Sequence, residues 1–277
     1  MKVFISFDME GVAGIVDWSQ CRGPGQAYEE GRRLLLGEVN AAIDGALAGG
    51  ATEVVCNDSH GTMFNLDPAA LRGGASYIAG RHKPLYMMQG LDESFGAVFM
   101  IGYHGSISGN SSVLSHTYNP SVVSHVTING ALAGESGINA LAALAYRVPV
   151  VLISGDQVTA DESSAFFPGA ERVIVKESFT RFGAASLHPD EARRRIELAA
   201  ERAIGSASRD GGALPAVGLP VTLTVHMQNA DMAEMASWVR DVRRSGTREV
   251  TIAGADPLAV YQSFVAVTYI TRVAEGR

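Results

Sequence analysis

Apolar positions in this 277-residue chain alternate between short, nearly unbroken runs and longer stretches of helical period. The runs Val3 to Phe7, Val54 to Asn57 and Val98 to Tyr103 read as strands of a parallel sheet buried on both faces, because such strands lose the apolar/polar alternation of a half-wet strand. Between Gln26 and Ala48, Leu35, Val39, Ala42, Ile43, Ala46 and Leu47 recur at helical spacing, and Gly49-Gly50 supplies the stop. Further strands are predicted at Val126 to Ile128, Val148 to Ile153, Arg172 to Val175, Val221 to Val225 and Glu249 to Ile252. Helices are predicted at Glu135 to Tyr146, Pro189 to Ile204, Ala230 to Val239 and Pro257 to Val273. The alternation predicts an α/β fold, a mostly parallel sheet flanked by helices.

The stretch Ser206 to Pro220 is rich in Gly, Ser, Ala and Pro and reads as a linker. It predicts a larger α/β domain over residues 1–206, a linker over 207–218 and a smaller C-terminal β-α-β-α unit over 219–277.

Composition narrows the function. With 47% hydrophobic residues the chain can bury a substantial core. A formal net charge of −7 offers no basic field to attract a phosphate backbone, so nucleic acid is not an expected partner. Small molecules or peptides fit better. The two cysteines, Cys21 and Cys56, are too few for a disulfide scaffold and are read as reduced thiols. No run approaches the roughly 20 apolar residues needed to span a bilayer, and Asp8 and Glu10 interrupt the N-terminal apolar stretch before it could act as a signal core. The expected compartment is the cytoplasm.

The chemistry gathers at strand ends. Asp8 follows the first strand, His60 follows the second and His104 follows the run Val98 to Tyr103. In a parallel sheet these ends open on one edge, where α/β proteins bind ligands. In Ser6-Phe7-Asp8-Met9-Glu10-Gly11, Asp8 and Glu10 share one side of an extended backbone, and two buried carboxylates must protonate, pair or bind metal. Taken alone, such a pair is more commonly a loop cap. His60 sits in Asn57-Asp58-Ser59-His60-Gly61, where Asp58 is read first as an Asx turn and second as a partner orienting the imidazole. His104 and His116 suit a division between metal ligand and proton carrier, with the Gly- and Ser-rich loop 105–112 expected as a pocket wall. Glu135 opens a predicted helix, a position the helix dipole favours in any case. Together Asp8, Glu10, His60, His104 and Glu135 form a hard oxygen and imidazole set suited to zinc or a similar divalent ion. Five ligands exceed what one catalytic zinc uses, so two metals sharing a carboxylate, about 3.5–4 Å apart, fit better. Asp156 and Lys176 are weaker candidates for pocket polar groups, with surface or ion-pair roles expected for both. His82, His125, His188 and His226 are read as structural or surface residues, and Trp18 and Trp238 as packing residues.

The segment Ser6-Phe7-Asp8-Met9-Glu10-Gly11 resembles the Ser-x-Asp-x-Glu-Gly signature of the zinc-dependent D-aminopeptidases encoded with bacterial dipeptide transporters. Asn57-Asp58-Ser59-His60, Gly102-Tyr103-His104, Ser115-His116 and Gly134-Glu135 follow in the family's order, and the resemblance covers essentially the whole chain. It implies two zinc ions per subunit, with Asp8 bridging, Glu10 and His104 completing one site, and His60 and Glu135 the other. It also implies that His116 is the catalytic histidine, that the substrate is a short peptide or amino-acid amide with an N-terminal D-residue, and that the subunits form a homodecamer of stacked pentamers around an internal channel.

The residues alone leave other functions open. A two-metal phosphoesterase uses similar ligands. Against it stands the lack of Arg or Lys near the candidate ligands, Arg22 and Arg81 being the closest in sequence. A non-catalytic protein whose metal site is closed and purely structural is the third reading.

Overall fold

The computed structural model describes residues 1–275, and of residues 208–210 the backbone alone. The chain begins with β1 (Lys2–Phe7), α1 (Trp18–Cys21), α2 (Gln26–Ala48), β2 (Glu53–Asp58), β3 (Ala75–Ile78) and β4 (Ala97–Tyr103). There follow β5 (Val123–Ile128), β6 (Ala131–Leu132), α3 (Glu135–Ala145), β7 (Val150–Asp156), α4 (Gln157–Ser164), β8 (Glu171–Thr180), β9 (Gly183–Ser186) and α5 (Pro189–Asp210). The last stretch runs β10 (Val221–Met227), α6 (Ala230–Ala236), β11 (Val242–Arg244), β12 (Glu249–Gly254) and α7 (Pro257–Ile270).

Seven strands form the main sheet in the order β3-β2-β1-β4-β7-β8-β9. All pair in parallel except the last, where β9 folds back antiparallel on β8. The chain winds outward from β1 through β2 to β3, then crosses back to place β4 on the other side of β1. That reversal makes the β1/β4 boundary a topological switch point, where the connecting segments part and leave a crevice at the strands' carboxyl ends.

Both faces of the sheet are covered, which is why its inner strands lack alternation: every residue of β4 is buried. On one face α2 and α5 pack Leu35, Val39 and Ile43 with Ile196 and Ala200 against Val3, Ile5 and Phe7. Each large aliphatic side chain fully buried there contributes roughly 1.5–3 kcal/mol. On the other face a second core joins Phe4, Val98 and Met100 to α3, α7 and the inner face of an antiparallel sheet of order β11-β12-β10-β5-β6.

That second sheet carries the C-terminal elements, yet takes β5 and β6 from residues 123–132. Helix α5 runs to Asp210, into the stretch expected as linker, and ends on Gly211 in the left-handed region at φ 80°. Strand β7 starts at Val150 rather than Val148, since Pro149 has no N–H to donate to the ladder. Strand β8 extends to Thr180 and forms a hairpin with β9 that periodicity did not reveal.

Candidate metal centre

Three neighbouring strands deliver the first candidate ligands. In the order β2-β1-β4, Phe7 pairs with Asp58 on one side and Ile101 on the other, so residues just past these ends converge. Asp8 N donates to Ile101 O at 2.8 Å, and Gly11 N to Gly102 O at 2.8 Å, laying the segment from Asp8 to Gly11 along the end of β4. The approach is close enough to require glycine, because a Cβ on Gly11 would meet Tyr103 O at 1.8 Å.

Lys176, expected at the surface or in an ion pair, is buried on β8 and contributes to this loop instead. Its Nζ donates to the carbonyls of Glu10 at 2.5 Å, Ile15 at 2.7 Å and Val12 at 3.0 Å, so one cation satisfies two acceptors that the backbone leaves open and adds to the bond Val12 O takes from Ile15 N. Asp156 is likewise no pocket group. It caps α4 by accepting from Thr159 N at 2.9 Å and takes hydrogen bonds from Ser112 and Ser178.

His60 follows β2 in a turn that Asp58 closes by accepting from His60 N at 3.3 Å, while Tyr77 OH donates to Asp58 at 2.7 Å. Asp58 therefore shapes the loop, and the ring is oriented by a different group, the carbonyl of Cys21, 2.8 Å from Nε2. A carbonyl only accepts, so Nε2 carries the proton and Nδ1 faces the carboxylates. Nδ1 lies 3.1 Å from Asp8 Oδ1 and 2.9 Å from Glu10 Oε2.

The other imidazoles repeat this arrangement. His104 Nδ1 donates to Gly105 O at 2.9 Å, leaving Nε2 at 3.4 Å from Asp8 Oδ2 and 3.7 Å from Glu135 Oε2. His116 Nδ1 donates to Leu114 O at 2.9 Å, leaving Nε2 at 3.5 Å from Glu135 Oε1. The His104 and His116 rings stack at 4.3 Å, and Trp18 meets His116 edge-on at 5.5 Å. Glu135, the first residue of α3, also accepts from Tyr118 N at 2.7 Å.

The structure thus brings all six sequence-derived residues into one nest, with Asp8, Glu10, His60, His104 and Glu135 each 6% exposed or less. Three lone pairs on imidazole aim at three carboxylates there, an arrangement that is repulsive until a cation lies between them. Glu10 Oε2 and His104 Nε2 are buried and make no hydrogen bond of acceptable geometry, although each lies near an oppositely disposed group. The donor set and these two orphaned atoms fit a divalent ion. Asp8, Glu10 and His104 can place ligand atoms within 4.8 Å of one another, as can His104, His116 and Glu135. The direct contacts also link Glu10 with His60 and Glu135 with His104, across the division that the resemblance implies, and both oxygens of Asp8 are engaged with different rings.

With protons alone as counter-charge, the nest polarises strongly. Burial opposes charge on Asp8, but hydrogen bonds and charge from His104 and His60 outweigh it and hold this carboxyl well below its usual range. Burial likewise disfavours a charged His104, yet Glu135 and Asp8 lift it to about 10. Glu135 is pushed up to about 8 by burial and by the neighbouring Asp8 and Glu10. His116 falls to about 4 through burial and the charge on His104.

A cavity of about 470 Å³ opens over the nest. Its walls come from residues 21–28, 59–65 and 116–120 and from Arg272 and Glu275 near the C-terminus, and not from the expected loop 105–112. That loop is tied away from the cavity, with Glu162 accepting from Ser106 N and Oγ at 2.9 and 2.8 Å. Three cations, Arg22, Arg81 and Arg272, line the cavity, so the expected lack of nearby positive charge does not hold in space. Sequence reasoning missed Tyr118, Asn119 and Arg272, whose positions depend on loop paths and on the packing of α7.

A buried carboxylate and imidazole nest at a switch-point crevice, open to a substrate-sized cavity, is the make-up of a metal-dependent hydrolase. The chain belongs to the D-aminopeptidase family, whose model matches residues 1–266. It is 33% identical over 269 residues to a D-aminopeptidase of Bacillus subtilis, covering 97% of each chain. It also superposes with a TM-score of 0.89 and 32% identity on the solved structure of the Zn-dependent D-aminopeptidase DppA from Bacillus subtilis, described as a self-compartmentalizing protease, over 98% of both chains. Among the described residues no helix is long and apolar enough to cross a membrane.

Proposed function

We propose that this protein is a zinc aminopeptidase that removes N-terminal D-residues from short peptides or amino-acid amides. Two zinc ions per subunit would be held by Asp8, Glu10, His60, His104 and Glu135, with Asp8 shared. The observation that carries this reading is the set of three imidazoles whose outer nitrogens are pinned to carbonyls while their inner nitrogens face buried carboxylates. Such ions, when bound, acidify a water and polarise the scissile carbonyl.

The chain's own residues supply the rest. The carbonyls of Cys21 and Gly105 fix the ring orientations of His60 and His104, which sets the ligands before any ion arrives. His116, locked between His104 and Trp18, has its Nε2 3.5 Å from Glu135 Oε1 in the lining of the cavity and is placed to take a proton from the attacking water and return it to the leaving amine. The relative's self-compartmentalizing character supports a ring assembly here as well, a homodecamer with enclosed sites. Two buried free thiols, Cys21 and Cys56, suit the reducing cytoplasm.

Zinc content per subunit, measured beside turnover of D- and L-alanine amides by chelated and zinc-reloaded protein, tests the reading. Two zinc ions, chelator-sensitive turnover and a preference for the D-amide are expected. Hydrolysis that survives complete chelation would overturn it.

A further inference from the structure

The cavity wall carries a charge pattern that the metal nest does not explain. Arg22, Arg81 and Arg272 all line the cavity, and among the described residues no carboxylate lies within ion-pair distance of any of them. Arg22 stacks on Trp18, its guanidinium 4.3 Å from the ring centre. Arg272 lies 5.3 Å from the Tyr269 ring centre, beside the Tyr86 phenol, with Nε buried and without a hydrogen-bond partner. Arg81 is also within electrostatic reach of Tyr269, so two guanidiniums approach the same aromatic group. Glu275, the acid at this end of the cavity, accepts instead from Asn119 Nδ2.

Arg81 and Arg272, which share Tyr269, repel each other unless an anion joins them, and a guanidinium lining a cavity offers paired N–H groups that match a carboxylate. The metal nest lines the same cavity, with Arg22 beside it on the Trp18 that meets His116, and a scissile amide would lie there. We propose that the part of the cavity wall at Arg272, with Arg81 as an outer contributor, is a binding site for the free C-terminal carboxylate of a short peptide. The inference rests on the peptidase reading of the cavity and extends it: the preferred substrates are di- or tripeptides with an unblocked C-terminus, while amides and C-terminally blocked peptides are poor ones. Arg272 here sets specificity by binding the end of the substrate remote from the reacting bond, and the ~470 Å³ available suits a chain of two or three residues.

Zinc-loaded enzyme should be assayed on D-alanyl-glycine and D-alanyl-glycinamide, as wild type, Arg272→Met and Arg272→Lys. Wild type should favour the free acid by about 10- to 100-fold in kcat/KM, the range expected for hydrogen bonds to a charged group, mainly through a lower KM. In Arg272→Met the ratio of the two kcat/KM values should fall towards one. Arg272→Lys, which keeps the charge but not the fork, should retain part of the preference. Binding is read separately by calorimetry with the isostere of each dipeptide in which CH2–NH replaces the scissile CO–NH. Equal binding of acid and amide isosteres by wild type, or an undiminished preference in Arg272→Met, overturns the carboxylate site whatever the turnover. Hydrolysis of neither dipeptide, with the acid isostere still preferred, would remove the peptidase reading and leave the carboxylate site standing.

Discussion

Replacing Lys176 with Met should loosen the loop that carries Glu10 while leaving the hydrophobic volume nearly unchanged. The ammonium is fully enclosed and donates to Glu10 O, Val12 O and Ile15 O. Removing it leaves Glu10 O and Ile15 O without a donor, at about 2 kcal/mol each, while Val12 O keeps the hydrogen bond from Ile15 N. Against that loss stands the cost of keeping the charge buried, since burial brings Lys176 down from 10.5 to about 8, equivalent to roughly 3 kcal/mol that the variant would recover. The net destabilisation should be about 1 kcal/mol, read from urea unfolding of metal-free protein at pH 7. Because the loop also fixes Glu10, zinc affinity measured by competition with a chromophoric chelator should fall by about tenfold or more. A variant with wild-type stability and wild-type zinc affinity would refute the view that Lys176 clamps this loop.

Other outcomes follow from the same contacts. Burial raises Glu38 to about 7, against hydrogen bonding from Ala13 N and the charges of Lys176 and Arg193. The folded protein therefore holds a proton there that the unfolded chain loses near 4.5, so this group's contribution to stability declines as pH rises from about 4.5 to 7. Glu38→Gln should be close to neutral at pH 4.5 and stabilising by about 1–3 kcal/mol above pH 7 in denaturant melts, and a pH-independent effect would contradict this. Gly11→Ala should cost about 3 kcal/mol or more, because its Cβ would overlap Tyr103 O, and near-native thermal stability would show that the β1 and β4 ends are not so close. Asn139 bridges Tyr103, Tyr118 and Tyr261 in the core behind the nest, so Asn139→Leu should destabilise by about 2–4 kcal/mol in urea, with wild-type stability counting against a cooperative network.

The strands that carry the candidate ligands were legible because a parallel strand buried on both faces leaves an unbroken apolar run, and the polar residue ending the run is where the chain leaves the sheet. Asp8, His60 and His104 were found that way. Glu135 and His116 carried no such signal: an acid opening a helix and an imidazole in a polar loop are common without function, and the company of the other candidates and their order in a family pattern raised them. Pairing between distant segments was not legible: nothing in Val123 to Ile128 marks it as the partner of β10, about a hundred residues away, because register is decided by the packed faces. The groups that orient the imidazoles are backbone carbonyls of Cys21, Gly105 and Leu114, which every residue type possesses and no side-chain pattern can reveal. Lys176 misled for a related reason, since its partners are also carbonyls and a search for acidic neighbours would not find them. Arg272 reaches the cavity through the docking of α7, a tertiary event.

The central claim is that side chains from distant segments hold two zinc ions in one crevice. Crystals grown with zinc and measured at the zinc absorption edge would test it most directly. The account predicts two anomalous peaks per subunit, each about 2.0–2.2 Å from its ligands among Asp8, Glu10, His60, His104 and Glu135, with Asp8 contacting both. A crevice without anomalous density at saturating zinc, or zinc held by other residues, would contradict it.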